Sequence, residues 1–207
     1  MKGVAWYTNP KSFRYNVANF ALSTFRSNKS VDKNDDERDA YYASQAAYGS
    51  NDHHQRLVDR GYTKDDLSTD NTWVYNNGSK TLVGYRGTVD NAEDKGADAA
   101  IGVGLHNLHP AFNTAKAVGE RAKAKYKNRI IYTGHSLGGT KAVEVGRYLG
   151  GKTIVFNPGT SYTAPLDTHH AKVYRTNLDY ISYNTRGGKP TVYSGGHALN
   201  NFEEHFL

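Results

Sequence analysis

Residues 129–149 read Arg129-Ile130-Ile131-Tyr132-Thr133-Gly134-His135-Ser136-Leu137-Gly138-Gly139-Thr140-Lys141-Ala142-Val143-Glu144-Val145-Gly146-Arg147-Tyr148-Leu149. The run at 130–133 is β-branched and aromatic, the composition of a buried parallel strand. From Gly139 onward Ala142, Val143, Val145, Gly146 and Leu149 recur at helical spacing, and Gly150-Gly151 ends the segment. Between strand and helix stands Gly134-His135-Ser136-Leu137-Gly138, a G-x-S-x-G pattern. The spacing has a steric cause. A serine on a tight strand-to-helix turn needs small neighbours two positions to either side, because a Cβ there would crowd the turn. The same turn aims the first helical amides, including that of Leu137, at a carbonyl attacked by Ser136. A lone five-residue match is weak in a chain with 21 glycines. The strand before it and the helix after it supply the context the motif requires.

The neighbouring segments fit an α/β layout. Residues 153–156 read as the next parallel strand, ended by Asn157-Pro158-Gly159, and strand, helix, strand in this order calls for a right-handed crossover. Two more strands are expected at 172–176 and 189–193. Upstream, residues 72–75 and 81–85 flank Asn76-Asn77-Gly78 and predict a β-hairpin. Residues 29–38 read as a solvated connector, in which Asp35 or Asp36 caps a helix over 40–48 that Gly49 stops. His53 and His54 are adjacent, cannot both face one metal, and are expected at the surface. A further helix runs from Pro110 through Ala115, Val118, Ala122 and Tyr126, with Lys123, Lys125, Lys127 and Arg129 near its C-terminus, where the dipole favours them. His109 falls in its first turn, as a structural residue. Residues 11–26 place Phe13, Val17, Phe20, Ala21 and Phe25 at helical spacing, so 1–30 is an amphipathic helical extension that either packs on the domain or lies on a membrane surface; packing is the simpler reading.

Gly134-His135-Ser136-Leu137-Gly138-Gly139 after an apolar strand resembles the class 3 lipase family of α/β-hydrolases. Residues 41–49, Tyr85-Arg86-Gly87-Thr88, Leu108-His109-Pro110-Ala111-Phe112 and Asn157-Pro158-Gly159 resemble further family segments, the third with Ala111 where the family has glycine. So do Asn177-Leu178-Asp179-Tyr180-Ile181-Ser182, with Tyr180 where proline is usual, and Gly196-His197-Ala198-Leu199 leading to Phe202. The resemblance covers about residues 41–202. It implies one domain over 1–207 with a compact α/β-hydrolase fold, a mixed, mostly parallel sheet flanked by helices. It also implies Thr88 as a second oxyanion-hole donor beside Leu137, and a short lid at 89–107 that lacks bulky aromatics. The implied substrates are esters of acyl lipids, triacylglycerol or phospholipid, with no metal and no organic cofactor.

A serine hydroxyl is a weak nucleophile at neutral pH and needs a histidine base, which in turn needs a carboxylate to fix its tautomer. In α/β-hydrolases the acid and then the histidine follow the serine in the chain. Glu144, Asp167, Asp179, Glu203 and Glu204 are the acids after Ser136. Functional groups of parallel sheets collect beyond the C-terminal ends of strands. Asp179 lies just beyond the strand at 172–176, whereas Asp167 precedes it. Asp179 also sits in the family-like segment. His169 and His170 precede both that strand and Asp179, and His205 lies in a terminal helical stretch. His197 follows the last strand through Gly195-Gly196, so Ser136, Asp179 and His197 form the expected set, with no metal ligand among them.

Composition narrows the partners. The chain has 207 residues, enough for one sizeable core, no cysteine and therefore no disulfide or Cys-based metal site. Net charge is +6. The basic residues are scattered, without the aromatic interleaving of a nucleic-acid patch, so no nucleic acid is expected; peripheral contact with an anionic membrane surface is. The first residues run into Asn9-Pro10-Lys11 with no apolar h-region, and no stretch spans a bilayer, so an intracellular protein is favoured. Two other readings stay open: a soluble esterase or thioesterase acting on small acyl groups, and an inactive hydrolase fold that binds lipid or protein. Oligomeric state is not legible.

Overall fold

The computed structural model describes residues 35–88, 110–127, 129–161, 163 and 165–207. Helices α1 (Asp35–Ala47) and α2 (Asn51–Asp59) precede strands β1 (Thr63–Lys64), β2 (Thr72–Asn76) and β3 (Lys80–Tyr85). Helix α3 (Pro110–Lys125) leads to β4 (Arg129–Ser136), α4 (Leu137–Leu149) and β5 (Lys152–Pro158). Strands β6 (Leu166–Asp167), β7 (Ala171–Thr176), β8 (Thr185–Arg186) and β9 (Thr191–Tyr193) follow, then a 3-10 turn (Leu199–Phe202) and α5 (Glu203–Phe206). The lid expected at 89–107, His109 and the amphipathic stripe within 1–30 lie outside the described residues. Residues 36–207 form a compact unit of their own.

Seven strands make one sheet in the order β1-β2-β3-β4-β5-β7-β9. β1, β2 and β3 pair antiparallel, and every pairing from β3 to β9 is parallel. The hairpin closes where Gly78 takes φ +84°, which a residue without Cβ adopts freely. The Asn76 and Asn77 side chains accept from the Gly78 and Lys80 amides and fix the turn. β6 and β8 form a separate parallel pair.

A parallel sheet must be covered on both faces, and here the inward residues of adjacent positions feed two cores. On one face Leu82, Ile131, Ile154 and Phe156 pack with Tyr41, Ala43 and Ala46 of α1 and with Phe202 and Phe206. On the other, Val83, Tyr132, Val155 and Val173 meet Val118 and Ala122 of α3 and Ala142, Val143 and Val145 of α4. Among the described residues no helix is long and apolar enough to cross a membrane.

Two expectations are corrected. The described end of the connector expected at 29–38 is helix, and Asp36 and Glu37 within it are buried. The reason is electrostatic: β3, β4 and β5 each begin with a cation, and Lys80, Arg129 and Lys152 converge on Asp36. Lys172 near the start of β7 pairs with Glu37, and Arg60 and Lys80 with buried Asp39. The second correction is His53. It is buried against the Tyr41 and Tyr42 rings, because α2 is an amphipathic helix that was not foreseen. Burial pushes its basicity down despite nearby Glu203. His54 binds the Tyr75 hydroxyl through Nδ1 at 2.8 Å.

Candidate active site

β4 ends in a turn that few side chains tolerate. Ser136 has φ +54° and ψ −129°, a left-handed conformation for a residue with a Cβ, and α4 starts at the next residue. The flanking glycines make this possible. A Cβ on Gly134 would run into the Gly138 carbonyl, and one on Gly138 into the Tyr85 carbonyl at the end of β3. The β4–β5 register shifts at the same point, and Gly159 donates to the Ser136 carbonyl at 2.9 Å. The serine is thus lifted at the C-terminal rim of the sheet over the first turn of α4, whose Leu137 is fully buried.

Three chain-distant side chains meet there. The Ser136 hydroxyl lies 2.8 Å from His197 Nε2. His197 Nδ1 lies 3.0 Å from Asp179 Oδ1, with its N–H off the straight line to the oxygen. Asp179 is buried while the His197 ring is about a quarter exposed (27 %). Burial opposes the Asp179 charge. Hydrogen bonding and the field of His197, with the Ile181 N–H donating at 2.9 Å, outweigh it and hold the carboxyl below the usual carboxylate range. Asp167 is elsewhere, its carboxylate bound to exposed His169 at 2.8 Å, and His170 binds the Val143 carbonyl. His205 stacks on Tyr193 at 3.8 Å.

Thr88 sits at the same rim. A Cβ on Gly87 would meet the His135 carbonyl, so the residues after β3 pass directly beside the strand-to-helix elbow at Ser136. The ammonium of buried Lys141, from the first turns of α4, reaches the Arg86 carbonyl at 3.5 Å and ties that segment to the helix.

The sequence reading missed two residues that hold His197. Its backbone carbonyl accepts from His135 Nε2 at 2.7 Å and from Asn157 Nδ2 at 2.9 Å. A carbonyl only accepts, so Nε2 of His135 carries the proton and its Nδ1 is left to accept from the Tyr48 hydroxyl at 3.0 Å. Burial, then the neighbouring His197 charge, depress the His135 pKa to about 4, which keeps the ring neutral at pH 7. Asn157, itself at φ +41° and fully buried, also accepts from the Thr176 N–H and donates to its hydroxyl. It thereby links the end of β7 to the His197 loop. The signals were in plain view: His135 is inside the quoted motif, and Asn157 was read only as the end of a strand.

No family model matches the sequence, and no curated protein does. Among solved structures, an alpha-beta serine hydrolase homologue from Coxiella burnetii aligns at 16 % identity with a TM-score of 0.36, over 59 % of this chain and 58 % of that one. A fungal lipase in an inhibitor complex aligns at 12 % identity with a TM-score of 0.43, over 74 % of each chain. At these values neither likeness carries the assignment, which stands on this chain's own strand order and turn geometry. A mostly parallel sheet, a serine at positive φ between β4 and α4, and helices on both faces constitute an α/β-hydrolase fold.

Proposed function

We propose that the protein is a serine hydrolase that cleaves carboxylic ester bonds of acyl lipids through an acyl-enzyme on Ser136. The observation that carries this reading is the chain Ser136 Oγ–His197 Nε2 at 2.8 Å and His197 Nδ1–Asp179 at 3.0 Å, built on a turn that holds Ser136 at φ +54°. His197 takes the serine proton as Oγ bonds to the ester carbonyl carbon. The resulting oxyanion is met by the Leu137 amide and by Thr88. His197 then gives the proton to the departing alcohol, and in the second half takes one from water, which releases the acid and restores Ser136. Asp179, held ionised, keeps Nδ1–H of His197 pointed away from the serine and stabilises the imidazolium.

The lipid part of the proposal rests on the resemblance of Gly134–Gly139, Tyr85–Thr88 and the Asp179 and His197 segments to class 3 lipases, together with the net charge of +6. The test is hydrolysis of p-nitrophenyl esters of increasing chain length and of phospholipid vesicles by the parent and by Ser136→Ala. The reading expects hydrolysis by the parent, rising with acyl length, and loss of at least about 10³-fold in the variant. Hydrolysis by Ser136→Ala at the parent rate would remove Ser136 from the reaction.

A further inference from the structure

The loop that carries Asp179 is oddly apolar on its outside. Eight large hydrophobic residues are exposed among the described residues, and five of them, Leu178, Tyr180, Ile181, Tyr183 and Val192, fall within 178–192. Tyr180 is 81 % exposed, Tyr183 69 % and Leu178 60 %. Asp179 between them points inward and is buried. Two of the exposed side chains gather about one cation: the Arg175 guanidinium sits 4.7 Å from the Tyr183 ring centre, and Arg175 is the register partner of Val192.

The loop is also tied to its neighbours by hydrogen bonds. Leu178 N–H donates to Gly195 and Ile181 N–H to Asp179 Oδ1, while the Ile181 carbonyl accepts from both the N–H and the hydroxyl of Thr160. Asn184 is tied to Thr160 and Ser161. These bonds lower the cost of moving the Leu178 and Ile181 backbone groups into a less polar medium. Charge completes the picture. Arg175 and Lys189 flank the apolar tips with no salt bridge among the described residues, exposed Arg186 lies in register with Asp167 and shares its field, and Asp179, the acid between residues 171 and 202, is spent on His197.

We infer that this loop is the surface through which the protein docks on an anionic phospholipid layer, with Tyr180, Tyr183, Leu178 and Ile181 entering the interfacial zone and Arg175, Arg186 and Lys189 meeting phosphates. Tyrosine is suited to that zone, having an apolar ring and a polar tip. Five side chains are too few for a stable protein interface, which takes roughly 20–30 residues a side. A lipid layer asks only for a few apolar tips beside positive charge. In its functional consequence the inference rests on the ester-hydrolase reading: docking by this loop, which carries Asp179, brings lipid to the rim where Ser136 lies.

The test is co-sedimentation of the full chain with vesicles of mixed phosphatidylcholine and phosphatidylglycerol, against phosphatidylcholine alone, at low and high salt. Each variant's hydrolysis of p-nitrophenyl acetate is measured in parallel. Tyr180→Ser combined with Tyr183→Ser is expected to weaken binding to the mixed vesicles about tenfold or more, with soluble-ester turnover kept. Arg175→Gln combined with Arg186→Gln is expected to flatten the salt dependence. Parent-like binding by the tyrosine variant, or no binding by the parent, overturns the inference, as does a dimer of the parent that the tyrosine variant splits. Failure of the parent on the soluble ester strikes the hydrolase reading instead and leaves the vesicle result to stand by itself.

Discussion

The two rims of the sheet use charge in opposite ways. At the N-terminal rim Lys80, Arg129, Lys152 and Lys172 begin the parallel strands and are consumed by Asp36, Asp39 and Glu37 of α1, with Arg60 and the Tyr62 hydroxyl completing Asp39. Every group there answers another, and the product is a clamped helix. At the C-terminal rim the serine backbone is strained, one acid faces one imidazole, and the imidazole faces a hydroxyl with nothing further to do. A rim that satisfies itself holds the fold. A rim that leaves a proton acceptor beside a nucleophile invites chemistry.

The sharpest way to break that contrast is to exchange its acids. Asp179→Asn keeps the fold but favours the wrong tautomer of His197, and turnover is expected to fall by up to about 10⁴-fold. Asp167→Asn, which loses the exposed His169 contact and the field of Arg186, is expected to cost less than about tenfold. Steady-state hydrolysis of one soluble ester by both variants decides it; an inactive Asp167→Asn beside an active Asp179→Asn would invert the assignment.

A middle-sized effect belongs to the residues that hold His197. His135→Phe removes one of the two donors to the His197 carbonyl, and Asn157→Ala the other. Misplacing a catalytic group by about an ångström can cost about 10²-fold, so each variant is expected to lose about 10- to 100-fold in kcat with KM for a small ester nearly unchanged. A rise in KM at constant kcat would mean that these residues shape substrate binding and do not position the base.

The opposite rim answers in stability. Asp36→Asn leaves Lys80, Arg129 and Lys152 facing one another around a buried site and is expected to lower the unfolding free energy by about 3–5 kcal/mol, with kcat of the remaining folded protein unchanged. Urea titration with a parallel assay reads both. Loss of turnover without loss of stability would show the two rims to be coupled.

The smallest effect is a slope. His135 has its pKa depressed to about 4 from 6.5, so the unfolded chain takes up this proton first as pH falls. Its stabilising contribution is complete above about pH 6.5, declines by roughly 3 kcal/mol towards pH 4, and then levels. His53, depressed by burial, acts in the same direction. His135→Gln is expected to show a shallower loss of urea stability through that window than the parent, and an identical slope would refute the burial account.

How much of this was legible in the sequence depends on whether a signal was local. Strands, α3, α4 and the elbow were readable, because Gly134, Ser136 and Gly138 record a constraint imposed within five residues. The Ser136, Asp179 and His197 set was expected from chain order and strand ends, a rule about topology, and the three side chains lie together. The Asp36 cluster was misread as a solvated connector because its partners lie 44 to 116 residues away, and acids near a helix start look alike whether wet or buried. His53 was assigned to the surface for the same reason, since α2 and the tyrosines that enclose its ring belong to different segments. His135 and Asn157 were hidden differently. Each already had a sufficient local role, in the elbow and at a strand end, and nothing in the linear pattern asks for a second.

The central claim is that Ser136 is a nucleophile activated by His197. Its most direct test is labelling by a fluorophosphonate, followed by mass mapping of the tryptic peptide 130–141. The account predicts one adduct, on Ser136, absent from Ser136→Ala and slowed by at least about 10²-fold in His197→Gln and Asp179→Asn. An adduct on another residue, or labelling of Ser136 at the parent rate after His197 is replaced, would contradict it.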